Sequence, residues 1–142
     1  MVNTRNVSRY AGNPPSSIEE SRKIPGGPIY AAHDVKELLS IGSSALVAWT
    51  EKCKRDLKDE SLDLDDVVEL MKTCFHQRGE FLGSEWCQQS TNGPWVACDA
   101  YRVFHKMWIE HAYKEMDFEF YIKFAIGITG KIVMTISCHR PS

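Results

Sequence analysis

Apolar and polar residues alternate most regularly over residues 118–139. In the stretch FEFYIKFAI every second residue is apolar, and the positions between them carry Glu119, Tyr121 and Lys123. The stretch KIVMTISCH alternates in the same way and ends at His139 on its polar side. Such alternation is typical of a β-strand with one buried face. The pattern therefore predicts a β-hairpin with an amine, a phenol and an imidazole on one face.

The turn of this hairpin follows from matching the apolar faces of its two strands. A three-residue loop at 128–130 sets apolar residues opposite one another, whereas a two-residue loop would oppose apolar to polar residues throughout. Glycine at the third loop position suits the left-handed conformation that this turn requires. The resulting register predicts that Lys123 lies opposite Thr135 and Tyr121 opposite Ser137.

Upstream of the hairpin, apolar residues recur at helical spacing in three segments. The spacing predicts one helix that begins at Asp34, a second over 44–57, and a third that is capped by Asp63 or Asp65 and ends at Cys74. Acidic residues crowd the start of the third helix, where the helix dipole favours negative charge.

Later in the chain, aromatic and β-branched residues replace helix formers. Strands are predicted over 80–87 and 94–105, before the closing hairpin. Helices first and strands later indicate an α+β fold, with N-terminal helices packed on a C-terminal antiparallel β-sheet. Residues 1–28 are rich in Pro, Gly, Ser and Asn and show no period, so we expect a flexible tail or a loosely docked arm there. Residues 29–142 then form a single domain.

Composition narrows the class of protein. Apolar residues make up 43% of the chain and the net charge is −2, an ordinary globular balance. No apolar run is long enough to span a membrane and no secretory signal is evident, so no membrane partner is expected. Five cysteines without a CxxC pair favour reduced thiols and a cytoplasmic location. The middle of the chain is acidic and the last third mildly basic, which favours the last third for nucleic-acid contacts.

Short motifs follow one another in a distinctive order over residues 28–142. A helix reading LDLDDVVELMKTC precedes FLGS, then Asp99-Ala100-Tyr101, then Tyr121-Ile122-Lys123, and the last strand ends in ISCH. This order resembles the MqsR family of toxins from bacterial toxin–antitoxin pairs. Two positions depart from the family pattern: the lysine of its F-x-K-S/T motif is Gly83 here, and the glutamine that precedes D-V-Y in some members is Cys98.

The resemblance implies the compact fold of RelE-like bacterial ribonucleases. It implies a toxin that inhibits translation as an mRNA interferase, an endoribonuclease that cleaves mRNA without a metal. The expected partners are the mRNA substrate and a cognate antitoxin, with the ribosome as a further candidate. No cofactor and no metal are expected, since the cysteines and histidines do not have the spacing of a zinc site.

Metal-independent RNA cleavage requires groups that move protons and stabilise charge on the phosphate. Lys123 suits charge stabilisation, and Tyr121 or Tyr101 could orient the phosphate or donate a proton. Imidazole titrates near neutral pH, so His139 is the natural acid/base candidate. Arg102 alternates with Tyr101 and is expected on the opposite side of the sheet. These residue types therefore predict catalytic roles for the lysine, the two tyrosines and the histidine.

Other interpretations remain open. The chain could be a catalytically weakened relative of the same fold that binds a protein partner or RNA, as the glycine in FLGS and the acidic middle suggest. It could also be a nucleic-acid-binding module without chemistry. Finally, the polar face of the hairpin could be an ordinary solvated surface, on which exposed Lys and Tyr are common.

Overall fold

The computed structural model describes residues 3–141, which form an α+β fold with three α-helices and one six-stranded mixed sheet. The strand order is β1-β3-β4-β5-β6-β2. In chain order the elements are β1 (Lys23–Ile24), α1 (Ala32–Ile41), β2 (Leu46–Ala48), α2 (Glu51–Asp59), α3 (Leu64–Thr73), β3 (Gly79–Gln88), β4 (Trp95–Ile109), β5 (Lys114–Ile126) and β6 (Val133–His139). Within the described range, no helix has the length and apolar character needed to cross a membrane.

The first and third predicted helices are present, but the predicted start of the first is wrong, because α1 begins at Ala32 and Asp34 lies in its first turn. The side chain of Asp63 accepts a hydrogen bond from the Asp66 N–H at 2.8 Å, and the Asp66 side chain accepts one from the Asp63 N–H at 2.9 Å. This reciprocal capping box satisfies two amides at the start of α3, which would otherwise lack partners. Of the two N-cap candidates that the sequence offered, the structure therefore has Asp63, and α3 begins at the next residue.

The second predicted helix is wrong in its first half. Residues Leu46–Ala48 form a short edge strand that pairs parallel with β6, and α2 begins only after Thr50. The Thr50 hydroxyl accepts from the Cys53 N–H at 2.9 Å and donates to the Ile136 carbonyl at 2.6 Å. The free edge of β6 thus supplies partners that helical spacing did not foresee. The sheet is consequently mixed rather than antiparallel throughout.

The hairpin of β5 and β6 is confirmed, but its predicted register is wrong. The sequence placed Lys123 opposite Thr135 and Tyr121 opposite Ser137. The structure pairs Lys123 with Ser137 and Tyr121 with His139. The amine, the phenol and the imidazole still share one side of the sheet, but Thr135, which was predicted on that side, pairs with Phe124 and is buried on the other.

A bulge and a longer turn account for the shift. The register changes between Lys123 and Phe124, where Ile136 is the extra residue on β6. The Gly127 N–H donates to the Ile132 carbonyl at 2.9 Å, which leaves a four-residue loop at 128–131. Gly130 has a φ of 76°, the left-handed conformation predicted for it.

The sheet has two chemically different faces. The core face carries Tyr101, Val103, Phe120, Ile122 and Phe124, all buried in one cluster with apolar side chains of the helices. Phe75, two residues after the end of α3, packs edge-on against the rings of Tyr101 and Phe124. We call the opposite side the polar face, which carries Glu80, Glu85, Arg102, Tyr121, Lys123, Ser137 and His139.

Residues 3–28 lie along the sheet, in the region where the sequence predicted a flexible tail or a loosely docked arm. The Val7 N–H donates to the Trp95 carbonyl and the Arg9 N–H to the Ile126 carbonyl, both at 2.8 Å. Further on, β1 pairs with β3. This segment supplies one edge of the sheet.

A buried carboxylate joins the end of this segment to the sheet. Asp99 is fully buried and accepts hydrogen bonds from the N–H groups of Ile29 and Tyr30 and from the Ser84 hydroxyl, at 2.6–3.1 Å. These donors replace the water that a buried carboxylate would lose. The aspartate of the Asp-Ala-Tyr motif is therefore a structural residue in this fold.

Candidate functional site

Two cross-strand rows build the polar face. In the first row, Arg102 lies between Glu80 and Tyr121, and Tyr121 is in turn opposite His139. In the second row, Lys123 lies between Ala100 and Ser137. Neighbours along a row have Cβ atoms roughly 5 Å apart, and diagonal neighbours roughly 7–8 Å. The structure therefore brings together three of the four predicted site residues, Tyr121, Lys123 and His139.

Lys123 is the half-buried cation at the centre of this face. Its ammonium forms an ion pair with the Glu85 carboxylate, and 28% of its side chain is exposed. Burial acts to lower the pKa of Lys123, but the neighbouring Cys87 thiol and the Glu85 carboxylate outweigh it, so the pKa is raised. The amine is therefore held charged, as a group that stabilises phosphate must be.

Glu85 and His139 lie on opposite sides of Lys123. Glu85 is paired with Cys98, two residues before Ala100, whereas His139 is in the row of Tyr121, two residues before Lys123. Because β4 and β5 are antiparallel, these offsets point in opposite directions along the sheet. A carboxylate and an imidazole thus flank the lysine from two sides.

The imidazole of His139 has one nitrogen occupied. Its Nδ1 lies 2.9 Å from the Arg140 carbonyl, which can only accept, so Nδ1 carries the hydrogen. The ring centroids of His139 and Tyr121 are 5.9 Å apart. The Nε2 atom of the neutral ring is left as the acceptor, and in the charged ring it is a second donor.

Arg102 is a further cation on the polar face. The sequence predicted it on the other side of the sheet from Tyr101, and no catalytic role was predicted for it. Its guanidinium bonds to Glu80 and lies 3.7 Å from Glu119. The hydrogen bond and charge of Glu80 raise the pKa of Arg102. The Nε atom of Arg102 is buried without a hydrogen-bond partner among the described residues. One donor of this guanidinium therefore remains unused.

Tyr101, the fourth predicted site residue, is on the core face. Only 5% of it is exposed, and its ring stacks on Phe124 at 5.8 Å between centroids. Burial, the largest cause, raises the pKa of its hydroxyl. Alternation along β4 places Tyr101 and Arg102 on opposite sides, so the tyrosine cannot reach a phosphate held at Lys123. Tyr101 is a packing residue here.

The ends of β3 and β2 approach each other across the sheet. The Gln89 side-chain amide donates to the Trp49 carbonyl at 2.9 Å, although these residues follow β3 and β2 and three strands lie between them. A flat sheet would separate those strands by roughly 19 Å, since neighbours are about 4.8 Å apart. The sheet is therefore strongly curved there, and Val96 and Cys98, at the same end, are fully buried.

The backbone at Gly83, where the motif of the suggested resemblance has a lysine, suits glycine. It follows a bulge in β3 at Leu82 and has a φ of 144°. That region is one that L side chains adopt only with strain. A lysine could therefore not replace this glycine without a change in the bulge.

The sequence did not single out Glu85 as a site residue. Its pairing depends on the bulge at Leu82, which shifts the register by one residue. The best available signal was the alternation of Gly83, Glu85 and Cys87, which places these three on one side of β3.

One exposed cluster elsewhere has metal-ligand chemistry. Ligand atoms of His33, Asp34 and Glu37 in α1 lie within 4.8 Å of one another. Asp34 already accepts a hydrogen bond from Arg9 at 3.0 Å. The guanidinium supplies the positive charge that a metal ion would bring, so the cluster is explained without one.

No protein-family model, curated protein or solved structure matches this chain.

Proposed function

We propose that the polar face binds the RNA backbone and cleaves it, as a metal-independent endoribonuclease. The observation that carries the proposal is the arrangement of Glu85 and His139 on opposite sides of Lys123, with Tyr121 beside the histidine. A cation flanked by a base and an acid is the set of groups that attack by a ribose 2′-hydroxyl requires.

Each side chain has a defined task in this reaction. The Glu85 carboxylate takes the proton of the 2′-hydroxyl, and the 2′-oxygen forms a bond to the adjacent phosphorus. Lys123 stabilises the extra negative charge on the phosphoryl oxygens. The bond from phosphorus to the 5′-oxygen breaks, and protonated His139 gives its proton to that oxygen. The products are a 2′,3′-cyclic phosphate and a 5′-hydroxyl.

The biological setting that we propose is a toxin–antitoxin pair, with mRNA as the substrate and a cytoplasmic site of action. The motif order supports it, as does the α+β architecture, which is compatible with a RelE-like or MqsR-like fold. In this setting a cognate antitoxin would cover the polar face, and translation would stop when the antitoxin is lost. The ribosome is a further candidate partner.

A second candidate is RNA or protein binding without cleavage. Two observations favour it: Lys123 and Arg102 are both held in ion pairs with glutamates, and Gly83 replaces a cationic position of the family. Substrate phosphate would have to compete with these carboxylates. Binding with the RNA left intact would select this candidate.

Cleavage of a short RNA by the purified protein in the presence of EDTA tests the proposal. We expect products that end in 2′,3′-cyclic phosphate, and no cleavage of the same sequence as DNA. Lys123→Ala should lower the rate by about 10²- to 10³-fold, as loss of a charge-stabilising group does. His139→Gln should lower it by about 10²-fold or more.

Lys131→Ala is the matched control, because Lys131 is an exposed lysine in the loop between β5 and β6. It should cleave at the wild-type rate. Intact RNA after prolonged incubation with the wild-type protein would contradict the catalytic proposal, as would equal rates for the variants at 123 and 131.

A further inference from the structure

A cavity of about 500 Å³ opens beside Lys123, where the proposed function places the phosphate. Its lining includes Lys23, Pro25, Leu82, Gly83, Glu85 and Ala100. Two of these residues belong to the site already described: Glu85 pairs with Lys123, and Ala100 is the cross-strand neighbour of Lys123. The cavity is therefore continuous with the place where a phosphate would lie.

We infer that this cavity is a subsite for the nucleobase attached to that phosphate. The inference rests on the proposed function and names where one nucleotide of the substrate would lie. The volume falls within the range of roughly 300–1,000 Å³ that is usual for small-molecule sites. The lining has the composition of such sites, mostly apolar surface with a few polar groups.

The floor of the cavity suits a flat ring. Gly83 and Ala100 are opposite each other on β3 and β4, and both are small. A Cβ built on Gly83 would meet no atom within 4 Å, so the space above the glycine is open. The bulge that gives Gly83 its positive φ also brings Leu82 to the surface, with 48% of it exposed.

The walls supply both an apolar surface and a cation. Leu82 and Pro25 line the apolar side. Lys23 is paired in register with Glu85 but forms no ion pair in the part of the chain that the structure describes. Its ammonium can therefore donate to a base oxygen or to the next phosphate along the strand. The bulge favours glycine at position 83, and the space that a longer side chain there would occupy is left open for a ligand.

Binding of three small probes tests the inference: a nucleoside 5′-monophosphate, ribose 5-phosphate and inorganic phosphate. We expect the nucleotide to bind about tenfold or more tightly than ribose 5-phosphate, as contact with one base contributes. Leu82→Asn should remove this preference, because the apolar wall is lost, and should leave inorganic phosphate binding unchanged, because no charge is added beside the phosphate. Lys123→Ala should weaken all three probes.

Ile128→Asn is the control, since Ile128 is an exposed apolar residue in a loop away from the cavity. It should keep the preference for the nucleotide. Equal affinity for the nucleotide and ribose 5-phosphate, or no binding of either, would overturn the inference. A preference for the nucleotide without RNA cleavage would uphold the subsite and contradict only the catalytic proposal. RNA cleavage without a preference for the nucleotide would support the catalytic proposal and contradict the subsite.

Discussion

Tyr101 and Tyr121 lie on adjacent strands, β4 and β5, but on opposite faces of the sheet. Tyr101 is on the core face among Phe75, Phe81 and Phe124, and only 5% of it is exposed. Tyr121 is half-buried on the polar face, opposite both Arg102 and His139. On adjacent strands, one step in alternation decides whether a tyrosine packs the core or faces a ligand.

The same division applies to two carboxylates of the sheet. Asp99 accepts hydrogen bonds from backbone amides on the core face, whereas Glu85 pairs with Lys123 on the polar face. Residue type and motif membership alone do not separate these roles. The face of the sheet separates them, so substitutions should affect stability on one face and activity on the other.

The largest expected effect separates the two tyrosines. Tyr101→Ala should lower the free energy of unfolding by about 3–5 kcal/mol, because a buried ring is lost and a cavity is left. Tyr121→Ala should cost about 1 kcal/mol or less, since its side chain is partly solvated. Urea unfolding of both variants measures this difference. Equal destabilisation would contradict the assignment of the two faces.

The carboxylates should separate in the same direction with a smaller difference. Asp99→Asn should cost about 2 kcal/mol, because the amide group faces donors that then lack an acceptor. Glu85→Gln should leave the free energy of unfolding within about 1 kcal/mol of the wild type, as is usual for a partly exposed ion pair. It should nevertheless abolish RNA cleavage. A Glu85→Gln variant that cleaves normally would exclude the glutamate as the base.

The sequence anticipated much of this division but not its details. Strict alternation around Tyr121 and Lys123 predicted both the hairpin and its polar side, because period-two patterning is a direct consequence of strand geometry. It did not predict the register, since the extra residue Ile136 and the four-residue turn both shift the pairing. Bulges of this kind leave little trace in a hydrophobic pattern.

Two other features of the molecule depend on long-range contacts. The edge strand at Leu46–Ala48 forms because β6 has a free edge, and the role of Asp99 depends on amides about seventy residues away. Neither is visible in local spacing. Glu85 was missed for the same reason, because a bulge at Leu82 sets its partner.

A smaller difference is expected in cysteine alkylation, between Cys87 on the polar face and the core residues Cys53 and Cys138. Burial raises the pKa of Cys53 and of Cys138 to about 12. A hydrogen bond from Cys98 lowers the pKa of Cys87, and the charge of Lys123 adds to this. Because the thiolate is the reactive form, iodoacetamide should label Cys87 about tenfold faster than Cys53 or Cys138. Mass spectrometry after short exposure of the native protein checks this order.

Lys123→Met is the control for that labelling experiment. Removing the ammonium should slow the reaction of Cys87 and leave that of Cys53 unchanged. Faster labelling of Cys53 than of Cys87 in the wild type would contradict the assigned thiol environments.

The smallest effect concerns His105, which contacts Thr73 of α3 on the core face. Burial lowers its pKa below the ordinary value of about 6.5. Between that lowered pKa and about 6.5 the unfolded chain binds a proton more readily than the folded one, so stability should fall as the pH drops from about 6.5 toward the lowered pKa. His105→Gln should reduce this dependence. Urea midpoints measured across that range check it, and an unchanged slope in the variant would contradict it.

The most direct test follows the ring signals of the two tyrosines by NMR. A short RNA with 2′-O-methyl groups binds without being cleaved, because the attacking hydroxyl is blocked. On its addition, the ring signals of Tyr121 and His139 should shift progressively, while those of Tyr101 should stay in place. Binding that moves Tyr113 in the exposed β4–β5 turn, and neither Tyr121 nor His139, would contradict the claim that the polar face is the RNA site.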